Sequence, residues 1–204
     1  MLFKSSYRRK HMNTETWKLS KFDVAERQLL QAIRLFFSRG DEVSIHTLAE
    51  AAGQVLYDTK AVYDISIIRD NHAIRPEGRS EWFKRVFRSR NFFKHANEDA
   101  HELHEFKATF NHFSLLDAVN LYTSVKKSWV PETLLFFSWF VLAYPGLLKD
   151  DDPVINAFLR SAFTGANPID IHDFPHWAAC LEELRSGRHS LLGVVLPLGL
   201  QDSV

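Results

Sequence analysis

The run from Leu134 to Tyr144, LLFFSWFVLAY, constrains the fold more than any other stretch, because it is apolar on every side of a helical wheel. Pro131 suits the first turn of such a helix, and Pro145 with Gly146 stops it. The segment falls well short of the ~20 apolar residues needed to span a bilayer. It therefore has to be covered by other helices, or by a second subunit, and no membrane partner is expected.

The covering elements follow from periodicity. Asp23 and Glu26 form a capping-box-like start for a helix carrying Val24, Leu29, Leu30, Ile33, Phe36 and Phe37, which Gly40 ends. Ser44 is read as the cap of a second helix, with Ile45, Leu48, Ala52, Val55 and Leu56 at helical spacing. Residues 60–69 are rich in β-branched side chains and fit a short helix or a strand; helix is favoured because no hairpin partner is visible. A loop at 70–78 precedes a helix from Ser80 to His95. Ser114 and Asp117 are read as the start of another, closed by Lys126 and Lys127. Further helices are expected from Asp152 to Gly165 and from Pro175 to Arg185.

The expected architecture is thus all-α: one globular bundle of seven or eight helices over 22–187, a flexible arm at 1–21, and an apolar strap at 188–204. Equal numbers of acidic and basic residues, 25 of each, argue against a chain that coats nucleic acid indiscriminately, though a local basic patch can still bind phosphate. The single cysteine, Cys180, excludes an intrachain disulfide and a multi-cysteine zinc cluster, and its apolar neighbours suggest a buried structural thiol. A reducing, cytoplasmic home is the natural expectation.

Within 80–95, SEWFKRVFRSRNFFKH, Trp82, Phe83, Val86, Phe87 and Phe93 share one arc of the wheel, and Arg90 falls near its centre. A guanidinium there needs a carboxylate such as Asp117 or Glu132, carbonyl groups, or an anionic ligand. Lys84, Arg88, Asn91 and His95 gather on one shoulder, and seven Arg or Lys lie between Arg75 and His95 against Glu77 and Glu81 alone. Phe92 turns away from the apolar arc, toward a neighbouring layer or partner.

The hexapeptide Arg90-Asn91-Phe92-Phe93-Lys94-His95 resembles the R-x4-H signature of the HEPN superfamily, whose helical-bundle members include metal-independent RNases. The resemblance implies that Arg90 holds a scissile phosphate, that His95 serves as general acid or base, and that Asn91 orients one of them. It also implies a homodimer, with RNA as ligand and no cofactor; Lys84, Arg88, Lys94 and Phe92 are the expected binding residues. This chain departs from the family pattern in carrying more than a hundred residues after the motif. The competing reading is a non-enzymatic module for a protein or small anionic ligand, with Arg90 as an ion-pair hub. A third reading, a metal-dependent hydrolase, draws on His95, Asp99, His101, His104 and His112.

Overall fold

The computed structural model describes residues 16–59, 84, 87–97, 99–145, 147, 170–187, 190–191 and 194–195. It is helical throughout its core, in agreement with the all-α expectation. Among the described residues there are six helical segments: α1 (Lys21–Phe37), α2 (Glu42–Asp58), α3 (residues 87–94), α4 (Phe110–Lys126), α5 (Pro131–Ala143) and α6 (Phe174–Arg185). The helices expected over 60–69 and 152–165 lie outside the described residues, as does the arm before residue 16. Part of the C-terminal strap pairs on itself, Ser190–Leu191 running antiparallel to Val194–Val195.

Helix α1 is capped at Ser20, three residues before the Asp23 start expected from its pattern. The Ser20 hydroxyl accepts the Asp23 N–H at 3.1 Å while the Asp23 carboxylate accepts the Ser20 N–H at 2.7 Å, a reciprocal capping box. At its far end the left-handed residue is Arg39 (φ 53°) rather than Gly40. The Gly40 N–H donates to the Leu35 carbonyl at 2.8 Å and the Arg39 N–H to Phe36 at 3.1 Å, the paired bonds of a Schellman turn. A Cβ on Gly40 would lie 2.9 Å from a Leu35 methyl and 3.3 Å from the Leu35 carbonyl oxygen, so a larger residue there would make Leu35 shift.

Two other helix starts also differ from expectation. Asp41 caps α2, its carboxylate accepting the Ser44 N–H at 2.7 Å, so Ser44 lies inside the first turn. Helix α4 starts at Phe110, and Ser114 and Asp117 become buried interior positions instead of cap residues.

Helix α5 is enclosed as its composition demands. Leu135, Phe136, Trp139, Phe140 and Val141 are all buried, and Phe137, half-buried, tilts against Trp129. The hub, however, is α1, which packs on α2, α4, α5 and α6, whereas α5 packs on α1, α4 and α6. Phe36 sits where these meet, edge-on to Phe136, Trp139 and Phe174 at centroid distances of 5.5, 4.7 and 5.4 Å. Such herringbone contacts add specificity to burial. Among the described residues no helix is long and apolar enough to cross a membrane.

Candidate nucleic-acid interface

Helix α3 is seated through its Ser89–Phe93 side. Ser89 is fully buried, and its hydroxyl is hydrogen-bonded to His104 Nε2 at 2.8 Å. Phe93 lies one turn on, edge-on to Phe106 at 5.1 Å and to His46 of α2 at 5.6 Å. The helix is thus rolled relative to the arc expected around Arg90: the described inward positions are Ser89 and Phe93. Trp82, Phe83 and Val86 lie outside the described residues.

A polar network fixes the receiving surface. His46 is fully buried, and its Nδ1 meets Asn111 Oδ1 at 3.0 Å. Asn111 Nδ2 donates to the Glu42 carbonyl at 3.0 Å and to its carboxylate at 2.7 Å. Because the amide nitrogen is committed to Glu42, Oδ1 is an acceptor and the His46 proton belongs on Nδ1. The loop between α3 and α4 is held by the same surface, since Phe106 lies 5.0 Å from His46 and the His104 ring stacks on Phe92 at 5.0 Å.

With Ser89 and Phe93 inward, Lys84, Arg88, Asn91, Lys94 and His95 all emerge exposed. At about 100° per residue, Lys84, Arg88, Asn91 and His95 form a single stripe, Lys94 flanks one side of it and Phe92 the other. The expected binding residues therefore do come together, around the solvent face of one helix.

Arg90 departs from the expectation of a carboxylate partner. It is half-buried, its Nη1 donates to Gln54 Oε1 of α2 at 2.7 Å, and its guanidinium lies 4.5 Å from the centre of the Phe87 ring. Gln54 in turn donates to the Asp58 carboxylate at 2.6 Å, so an amide separates the guanidinium from the nearest acid in this chain of bonds. Glu132, one of the two carboxylates considered for Arg90, is taken by Arg34, whose Nε donates at 2.9 Å, and by Arg185 at 3.6 Å. Asp117, the other, is buried within α4. Among the described residues no ion pair holds Arg90, and neither of the two carboxylates considered for it is its partner. The reason is the roll: Arg90 sits at the edge of the seated face, where α2 presents an amide.

Like charges crowd at this edge. Desolvation lowers the Lys94 ammonium below the ordinary lysine range, the Arg90 guanidinium beside it lowers it further, and buried Glu50 opposes the shift. Arg90 and His95 do not converge: five residues apart, they point about 140° from one another. Asn91 and His95 stand one turn apart on the same exposed stripe, the His95 N–H donating to the Asn91 carbonyl at 3.0 Å.

The histidines read as a metal cluster are dispersed. His104 is engaged with Ser89 and Phe92, while His112 points elsewhere and is bonded to Tyr144 Oη at 2.7 Å. Among the described residues, no three His, Cys, Asp or Glu side chains are grouped so as to hold a metal ion. Cys180 is half-buried, 3.6 Å from His176 Nε2, and burial, with Glu183 nearby, pushes its thiol up and away from a nucleophilic thiolate. Asp170 and Asp173 serve as local caps, accepting the His172 and His176 N–H groups at 2.8 and 3.1 Å.

Sequence reasoning missed Gln54 and Ser89, and considered His104 only as a loop histidine or a metal ligand. No local signal marks an amide or a serine as the partner of a side chain so distant in the chain; the histidine was visible, its neighbour was not. Comparison with known protein families, with characterised proteins and with solved structures finds no match to this chain.

Proposed function

We propose that this helical protein binds RNA through the basic face of α3, in the manner the HEPN-like motif implies. The observation that carries the reading is the state of Arg90, a half-buried guanidinium oriented by the Gln54 amide and the Phe87 ring, with no ion pair to a carboxylate among the described residues. Such an arginine keeps donors and full charge for a phosphate. Lys94 and Arg88 extend the cationic surface, and an anion between Lys94 and Arg90 would relieve their mutual repulsion.

Metal-independent cleavage is the second reading, favoured by the shared exposure of Asn91 and His95. Since Arg90 and His95 of one chain diverge, cleavage needs the motif of a second copy, Arg90 from one protomer facing His95 from the other. The full reading is a cytoplasmic homodimer of a bundle of seven or eight helices.

Fluorescence anisotropy with a labelled single-stranded RNA 12-mer tests the binding. Affinity falls with added salt, Arg88→Ala and Lys94→Ala each flatten the log–log salt slope by about 0.7, and Arg90→Ala weakens binding about ten-fold. Salt-independent binding, or none, overturns the proposal. Incubation in EDTA tests the second reading: fragments ending in 2′,3′-cyclic phosphate that vanish in Arg90→Ala and His95→Ala support it, and intact RNA rejects it.

A further inference from the structure

The stripe on α3 is bordered on its Phe92 side by a pair of stacked rings. Phe92 and His104 lie 5.0 Å apart with their planes 29° from parallel, and both are half-buried, so part of this pair faces solvent. The pair is braced: Ser89 fixes the His104 Nε2, Phe93 stands edge-on to both rings at 6.3 and 6.1 Å, and Phe106 backs Phe93 at 5.1 Å. A part-exposed aromatic pair held from behind in this way loses little conformational freedom when a further ring lies against it.

Charge is divided across the same surface. The helix side carries Lys84, Arg88 and Lys94, whereas the loop side carries exposed Glu102 and Glu105 against Lys107. Phosphates are drawn to the first and repelled from the second. A nucleotide chain running along α3 would therefore turn its bases, not its backbone, toward the loop, where the rings stand.

We propose that Phe92 and His104 form a base-stacking subsite, and that the ligand of this face is single-stranded, with an unpaired nucleobase lying on those rings. The inference rests on the RNA-binding reading and adds the substrate class to it. In a duplex both faces of each base are already stacked, so the subsite discriminates against paired strands.

The test compares a labelled RNA 12-mer with an abasic oligomer of the same length and charge and with a 12-base-pair duplex, each titrated with the full chain. The intact single strand binds about ten-fold tighter than the abasic one, within the range of one stacked base. Phe92→Leu removes that advantage and leaves abasic binding unchanged; Phe92→Trp, with a larger stacking face, keeps it. Thermal melts of both variants verify the fold, and the tryptophan variant decides should the leucine variant melt early. Equal affinity for intact and abasic strands, or for duplex and single strand, overturns the subsite while phosphate binding stands. Binding of none of the three overturns the RNA-binding reading and the subsite with it.

Discussion

Arg34 and Arg90 both reach from one helix to another, and they end in opposite electrostatic states. Arg34 meets the carboxylate of Glu132 at the start of α5, where Arg185 of α6 adds a second, longer contact. One carboxylate that is only 3% exposed thus ties α1, α5 and α6 together at the entrance to the most apolar helix of the fold. Arg90 meets an amide and a phenyl ring. The first arrangement pairs its cations with a buried carboxylate; the second leaves a cation oriented but, among the described residues, without an ion pair. That contrast is why Arg34 reads as structural and Arg90 as a ligand-binding group.

The contrast predicts its largest effect at Glu132. Glu132→Ala leaves Arg34 and Arg185 without their shared acceptor beside buried Thr133 and Leu134. Both guanidiniums remain partly exposed and can turn to water, so the loss falls at or below the low end for a broken buried pair, about 2–3 kcal/mol. Urea unfolding measures it. A loss below about 0.5 kcal/mol would place Glu132 with the ordinary surface acids and dissolve the comparison.

His112 offers an intermediate test, because it is a half-buried basic group that stays neutral, with no carboxylate partner among the described residues. Its ring stands edge-on to Phe36 and Trp139 at 5.5 and 4.8 Å, and burial pushes its pKa down from the usual 6.5 to about 4. The unfolded chain takes up a proton near pH 6.5 and the folded chain refuses it until about pH 4. Stability from this group is therefore complete above pH 6.5 and is lost as the pH falls toward 4. The loss amounts to about 1–2 kcal/mol once solvent screening is allowed for. His112→Gln, which keeps a polar partner for Tyr144, should flatten that part of the pH–stability curve. An unchanged curve in the variant would show that the imidazole titrates normally.

These differences also explain what could be read from the chain alone. The burial of α5, the apolar faces of α1 and α2 and the stop near Gly40 are local and periodic, and they were legible. Helix starts were legible only to within a turn. Ser20-x-x-Asp23 and Asp41-x-x-Ser44 each offer two capping residues three apart, and the N-cap of α4, Thr109, makes no side-chain cap bond at all. The cationic stripe was legible because it belongs to one helix. The setting of Arg90 was not, since its acceptor lies 36 residues earlier and carries no charge to announce it. Ser89 misled for a related reason: the wheel gave the centre of the apolar arc to bulky rings and an arginine, whereas a serine paired to His104 occupies the buried side.

The smallest effect on stability, and the sharpest on the comparison, is expected from Gln54→Glu. The substitution replaces the amide oxygen that now receives Arg90 with a carboxylate oxygen at nearly the same place, so Arg90 acquires the kind of partner that Arg34 already has. Its new ion pair is part-exposed and worth less than about 1 kcal/mol, and the amide bond to Asp58 turns into repulsion one helical turn away. The two contributions nearly cancel, leaving the unfolding free energy within about 0.5 kcal/mol of the parent. Phosphate binding responds differently, because the guanidinium is now neutralised before any ligand arrives. RNA affinity should fall about as far as in Arg90→Ala, in a protein that is folded and carries every original cation. Undiminished affinity in Gln54→Glu would mean that the charge of Arg90 is not what the face offers to its ligand.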